Sequence, residues 1–388
     1  MRVLFLIQGE GRGHLTQALS LAQILQMAGH DVIGAIVGIT AQRTVPTFFS
    51  EQFSAPISPV FSPGLVYNAG TNALEPFKTT VQAIQSMRPF WRSLKQVRDH
   101  IDTQRPDVVV NFYEMLGGMT YALLRPSVPM ICIAHQYMAF HPDFQRPKGQ
   151  WFYRQAFKFN TLLTCFGAQE LLALSFDKQA NEPQKRLRVV PPLLRREVTE
   201  LKPKTAGTDA SKEFLLAYVT QPGLKVELEK AHQQRPDVRM DAFHSDASGP
   251  DQLIDDTLTY HAIDGKRFLE FMARCKAIVT TAGFESVCEA LYLGKPALMI
   301  PQPNHYEQAC NAIDSQRAGV GIASDRFDLN QLLDYIPRYD PQVSERFRAW
   351  HAQGYFLFLA ALNRAVTPTS KPSSGGFLST RVRHLLRS

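Results

Sequence analysis

Two glycine-rich turns hold the residue types that can do chemistry. The first, Gly9-Glu10-Gly11-Arg12-Gly13-His14, lies near the start of the chain and ends on a histidine. Imidazole titrates close to neutral pH, which suits it to accept a proton from a weakly acidic group. Two carboxylates compete to assist it or replace it: Glu10 inside the turn, and Glu114 in "NFYEMLGG". The second turn sits in "AIVTTAGFESVCEALYLGKPALMIPQPNHYEQACNAIDSQRAGVGI", residues 277–322. There a strand ends at Thr281, Ala282-Gly283 makes the turn, and a helix begins near Phe284 or Glu285. A helix N-terminus with no bulky side chain before it offers backbone N–H groups and a positive dipole end to a phosphate. Glu289 lies more than one helical turn from that anion site, where its carboxylate can accept bonds from ribose hydroxyls.

The first turn is not a dinucleotide fingerprint. That motif requires glycine at its first, third and sixth positions, and counting from Gly9 the sixth is His14, while from Gly11 it is Thr16. A nicotinamide or flavin oxidoreductase is excluded on spacing.

The elements that must position these turns follow from hydrophobic patterning. "RVLFLI" (2–7) is a short apolar run closed by glycines, as a buried parallel strand is. Leu15, Leu19, Ala22 and Leu25 then recur at helical spacing, and Gly29 stands where a helix ends before "DVIGAIV". A basic helical stretch from Phe77 to Ile101, the strand "DVVVNF" (107–112), a glycine turn, a helix and "PMICIAHQ" (129–136) continue the alternation. Residues 1–196 therefore read as one doubly wound α/β domain. The polar segment 197–212 reads as a linker. From "EFLLAYVT" the pattern restarts and runs as a second α/β domain over 213–340. A helix over 341–366 is expected to pack back on the first domain, and 367–388 is a loose tail.

The 388 residues suit two domains, and 45% hydrophobic residues suit folded cores. No run approaches the roughly 18–20 apolar residues of a membrane span, and the first strand turns glycine-rich too early for a signal peptide. A cytosolic protein is the expectation. Cys132, Cys165, Cys275, Cys288 and Cys310 form an odd set without CxxC spacing, so reduced, buried thiols are expected. A formal charge of +7 favours anionic partners such as nucleotide sugars, anionic lipid surfaces or nucleic acid, and does not choose among them.

The second turn resembles the donor half of nucleotide-sugar glycosyltransferases of the two-Rossmann, GT-B type. The likeness is to the family of the lipid-linked muropeptide N-acetylglucosaminyltransferase and, more loosely, to UDP-glucuronosyl and plant UDP-glycosyltransferases. It rests on Ser286, Glu289, Ala290, Gly294, Pro296, Pro301, Gln308, Asn311 and Ala312, which match the family's order of turn, helix, strand and polar loop. Thr281, Ala282 and Phe284 depart from the His, Trp and Asn around this turn in the plant enzymes, which leaves base recognition open. The resemblance implies two Rossmann-like parallel-sheet domains facing across a cleft. It assigns Gly283, Phe284, Glu285 and Ser286 to the diphosphate, Glu289 to the ribose, and Glu307 with Gln308 to the donor sugar. Thr220 and Gly223, after the strand that opens the second domain, are weaker candidates for a loop facing the diphosphate. In the same family a glycine turn ending in Gly-His follows the first strand, which places Gly11, Arg12 and Gly13 on the acceptor side. His14 is then the candidate base, with Glu114 as its orienting carboxylate and Glu10 as the rival partner or base.

The implied activity is inverting transfer of a hexosyl group from a UDP-sugar to a hydroxyl acceptor, lipid-linked or of the cell envelope. No cofactor is implied and no metal, since Asp255-Asp256 is the only acidic pair near the donor half and reads as a solvated loop. No nucleic-acid partner is implied either. Aromatic and basic residues interleave in 76–98 and 144–159. Exposed, they suit an anionic membrane at the inner face of the cell; buried, they are core with snorkelling bases. The competing readings are a non-hydrolysing UDP-sugar 2-epimerase of the same fold, and a non-catalytic nucleotide-sugar binding protein.

Overall fold

The computed structural model describes residues 1–63, 87–201, 213–219, 222–245, 247 and 249–367. The chain divides into two compact units.

In the first unit the order is β1 (Arg2–Gln8), α1 (Arg12–Met27), β2 (Asp31–Ile39), α2 (Thr47–Gln52) and β3 (Ile57–Phe61). It continues with α3 (Met87–Gln104), β4 (Val108–Phe112), α4 (Met115–Leu123), β5 (Met130–Ala134), a 3-10 turn (His135–Phe140), α5 (Trp151–Cys165), β6 (Glu170–Leu174) and β7 (Leu187–Val190). The strands form a parallel seven-stranded sheet in the order β3-β2-β1-β4-β5-β6-β7. β1 and β5 are apolar along their whole buried length, and β4 is so apart from Asn111, as suits strands covered on both faces. The order reverses between β1 and β4. That switch point opens a crevice at the carboxyl ends of the two strands, the position where doubly wound sheets bind ligands.

The second unit contains α6 (Arg196–Glu200), β8 (Leu215–Val219), α7 (Pro222–Gln234), β9 (Met240–His244), β10 (Gln252–Leu253), β11 (Leu258–Ala262), α8 (Gly265–Arg274) and β12 (Ala277–Thr280). α9 (Phe284–Tyr292), β13 (Ala297–Met299), α10 (Tyr306–Arg317), β14 (Gly321–Ala323), α11 (Leu329–Tyr335) and α12 (Gln342–His351) follow. Its sheet order is β10-β11-β9-β8-β12-β13-β14, with the switch point between β8 and β12. β10 runs antiparallel to β11, so this sheet is not wholly parallel as expected. One face of the sheet closes on a core that includes Leu216's neighbours Leu215 and Ala217, with Leu228, Met240, Leu258 and Leu332.

The domain boundaries differ from the expectation in two places. The units divide between Leu193 and Leu194, and Arg196–Glu200 is helical where a linker was expected. The stretch 341–366 is two helices, not one: α12 belongs to the second unit, and α13 (Gly354–Val366) packs against β4, β5 and β7 of the first. The break falls before Gly354, where the chain passes so close to Pro191 that an added Cβ would stand 3.3 Å from its ring. The expected linker beyond residue 201 and the tail beyond Thr367 lie outside the described residues. All five cysteines are free and buried.

Candidate active site

The first switch point gathers His14, Glu10 and Glu114. β1 ends at Gln8 and the chain turns through Gly9, whose N–H donates to the Gly38 carbonyl at 2.8 Å. A Cβ on Gly9 would meet that same oxygen at 2.6 Å, so only glycine lets the turn lie this close to β2. Gly11 caps α1 with no side chain in the way. Gly11 and Arg12 are exposed, Gly13 is half-buried, and the Arg12 guanidinium rests 4.2 Å over the Phe48 ring.

His14, in the first turn of α1, is half-buried. Its Nδ1 lies 3.3 Å from Oε1 of Gln17, one turn along the helix, and its Nε2 lies 3.5 Å from the amide nitrogen of Gln136. The ring stacks on Tyr113 with centroids 5.5 Å apart. Desolvation holds the imidazole below its ordinary pKa, with the Gln17 bond opposing, so the ring is neutral at physiological pH.

Neither expected carboxylate is bonded to His14. Glu114 is buried and caps α4, accepting from the Leu116 N–H at 3.0 Å and from the Ser62 hydroxyl at 2.7 Å. Asn111 shapes this turn: it donates to the Glu114 carbonyl at 3.0 Å and accepts from the Glu114 N–H at 2.9 Å. Tyr113 takes a left-handed φ of 57° between them. A Cβ on Gly38 would fall on the Glu114 carboxyl group itself, so the second strand is hollowed out to receive it. Burial pushes that carboxyl up to about 7; the Leu116 N–H and Ser62 oppose the shift, and the charge of Glu10 adds to it. Glu10 is also raised by burial, against the pull of Arg43. Glu114 is thus bonded beneath the turn and not to His14, and the side chain beside His14 Nδ1 is Gln17. Gln17 carried no motif signal, because amides on helices are commonplace.

In the second unit the turn after β12 stands at its switch point. Ala282 and Phe284 are buried and offer the turn their backbone only, while Thr281, Gly283, Glu285 and Ser286 are half-buried. Gly283 caps α9 without a side-chain bond, which leaves the helix N-terminus open to an anion. Ser286 Oγ donates to the Gly283 carbonyl at 3.1 Å and lies 3.3 Å from Thr280 Oγ1. Asn311, buried on α10, donates to the Ala282 carbonyl at 3.1 Å and so pins the turn from below. Gln308 Oε1 accepts from the Gln302 N–H at 2.9 Å, and the Gln308 N–H donates to His305 at 3.3 Å. Glu307 is half-buried in the first turn of α10.

Glu289 departs from its expected openness. It is buried, and its two oxygens accept from Nε and Nη2 of Arg195 at 2.6 and 2.8 Å. Arg195 had no motif around it. Gly223 is exposed in the first turn of α7, and Thr220 lies outside the described residues. Asp255 accepts from the Thr257 and Leu258 N–H groups, both at 2.8 Å, and from His232 at 2.9 Å, which makes it the cap of a turn. His261 is buried between Asp241 at 2.7 Å and Asp251 at 2.9 Å, a structural ion cluster.

Two doubly wound sheets, each with a glycine turn at its switch point, define the class of two-Rossmann, GT-B proteins. Solved structures agree on the fold: the kitacinnamycin glycotransferase superposes with a TM-score of 0.60 at 19% identity, over 95% of this chain and 99% of that one. MurG of Acinetobacter baumannii does so at 0.56 and 15% identity, over 94% and 99%. A Deinococcus deserti UDP-N-acetylglucosamine--N-acetylmuramyl-(pentapeptide) pyrophosphoryl-undecaprenol N-acetylglucosamine transferase is 27% identical over 139 residues, 34% of this chain and 36% of that relative. The alignment thus spans about a third of that relative's length. The family model described as glycosyl transferase family 1 matches residues 1–339, and the chain belongs to that family.

Proposed function

We propose that this chain is an inverting, metal-independent glycosyltransferase that moves a hexosyl group from a UDP-sugar to a hydroxyl acceptor. The observation that carries the reading is His14: a neutral imidazole at the first switch point, with Nδ1 against an amide oxygen. Its Nε2 lone pair takes the acceptor proton while the acceptor oxygen forms its bond to the anomeric carbon. The bond from that carbon to the nucleoside diphosphate breaks, and its electron pair leaves on the phosphate oxygen. The open N-terminus of α9, with the Gly283 turn, receives that charge. Glu289, released from or shared with Arg195, meets the ribose, and Glu307 and Gln308 meet the sugar.

The name of the Deinococcus relative supports a UDP-linked N-acetylhexosamine and a lipid-linked acceptor. The surface of the first unit supports membrane contact. Met87 and Trp91 on α3 and Trp151, Phe152 and Phe159 on α5 are exposed, with Arg88, Arg92 and Lys95 exposed along α3. Such a mixture suits peripheral docking on an anionic leaflet. No helix among the described residues is long and apolar enough to cross a membrane.

A thermal-shift panel tests the donor site. UDP at about a hundred times its dissociation constant should stabilise the protein by about 2.7 kcal/mol, and NAD and ATP at the same concentration should not. Absence of any UDP effect refutes the transferase reading. Full transferase activity in a His14→Ala variant refutes the role of the imidazole.

A further inference from the structure

We propose that Gln17 is the positioning residue of the base: its amide oxygen holds His14 as the Nδ1–H tautomer, and so turns the bare Nε2 lone pair toward the acceptor. The inference rests on the reading of His14 as base and adds the group that prepares it.

The geometry supports this in three ways. Gln17 follows His14 at the i+3 spacing that brings side chains together on one helix face, and it is 2% exposed, so its amide is held in place by packing. Its Oε1 lies 3.3 Å from Nδ1, and an oxygen can accept only from a protonated ring nitrogen. On the other side, the Gln136 amide nitrogen lies 3.5 Å from Nε2 and can only donate, which again requires that Nε2 carry no proton. The two amides specify one tautomer from opposite ends of the ring, and stacking on Tyr113 fixes its plane. The carboxylate that could have served, Glu114, is committed to Ser62 and the Leu116 N–H.

A neutral amide does this differently from a carboxylate. It orients the ring and fixes the tautomer without adding a negative charge that would raise the imidazole pKa, so the base stays unprotonated well into mildly acidic solution. A carboxylate at the same place would hold the same tautomer and raise the pKa.

The test is long-range proton–nitrogen NMR of the ring nitrogens in the full chain, with the His14 signals assigned by their loss in His14→Gln. In the wild-type protein Nδ1 should be protonated and Nε2 bare. Gln17→Leu added to Gln136→Leu, where no second amide specifies the tautomer, should swing the ring to mostly Nε2–H, and Gln17→Leu alone should lower kcat with KM for the donor unchanged. Gln17→Glu should keep Nδ1–H, raise the ring pKa, and move the acidic limb of the kcat profile to higher pH. An unchanged tautomer when Gln17→Leu is added to Gln136→Leu, or in Gln17→Glu an unchanged ring pKa, overturns the inference. If Gln17→Leu does not fold, the Glu variant alone decides. These spectra need no substrate, so the tautomer result stands or falls separately from the activity of His14 variants, which decides the base reading itself.

Discussion

Replacing Gly38 by alanine should damage the protein through a residue far away in sequence. The three atoms nearest to a Cβ at Gly38 all belong to the Glu114 carboxyl group, and that side chain is 1% exposed and cannot swing into water. The carboxyl must therefore give up its place. Its loss removes the N-cap of α4, about 1 kcal/mol, and the Ser62 bond, about another 1 kcal/mol, with an added cost for burying unpaired groups. The sum is about 2–3 kcal/mol. At about 2–4 °C per kcal/mol for a domain of this size, the melting temperature should fall by about 4–12 °C. A double-mutant cycle read by thermal unfolding isolates the cause. In a Glu114→Ala background the space is empty, and Gly38→Ala should then cost close to nothing. Gly9→Ala is the control, since its Cβ meets the Gly38 backbone carbonyl, which no change at Glu114 can move. If Gly38→Ala is equally destabilising with and without Glu114, the steric reasoning is wrong.

The remaining predictions concern charge. In the unfolded chain Glu114 gives up its proton near the ordinary carboxylate value, whereas the folded protein holds it to about 7. Between those values the folded state binds more protons, so wild-type stability should fall as pH rises through the window, by about 3 kcal/mol at most. Melting curves between about pH 5 and pH 8 should show Glu114→Gln losing that slope and overtaking the wild type at the alkaline end; parallel curves would contradict it. Arg195→Ala should cost about 3–5 kcal/mol in urea unfolding, because it strands Glu289 buried without its cation. Replacing both by methionine should restore most of that loss, and a double variant as weak as the single one would argue that packing, not charge, holds the pair.

Much of the architecture was legible because hydrophobic periodicity and glycine placement are local signals. Short apolar strands ended by turn residues announce a doubly wound sheet wherever they occur, and Gly9 and Gly283 mark strand ends that fall at the two switch points. Partners were not legible, because a hydrogen bond joins residues that only the fold brings together. Glu114 was visible as a carboxylate at the right sheet edge, yet its bonds go to Ser62 and to its own helix, and the hollow that receives it is cut by Gly38 on another strand. His14 was visible as a candidate base, but its neighbour was not, since the expectation placed Glu114 or Glu10 beside the ring and the chain sets the Gln17 amide there. Glu289 was legible on the helix after the second glycine turn, but the arginine that holds it stands 94 positions earlier in a stretch without a motif. The same asymmetry holds in each case. Residue type and backbone position are written locally, whereas the protonation state that chemistry requires is set by whichever side chains the fold sets against the group, near or far in sequence. For His14 those are Gln17 and Gln136, both of them neutral amides.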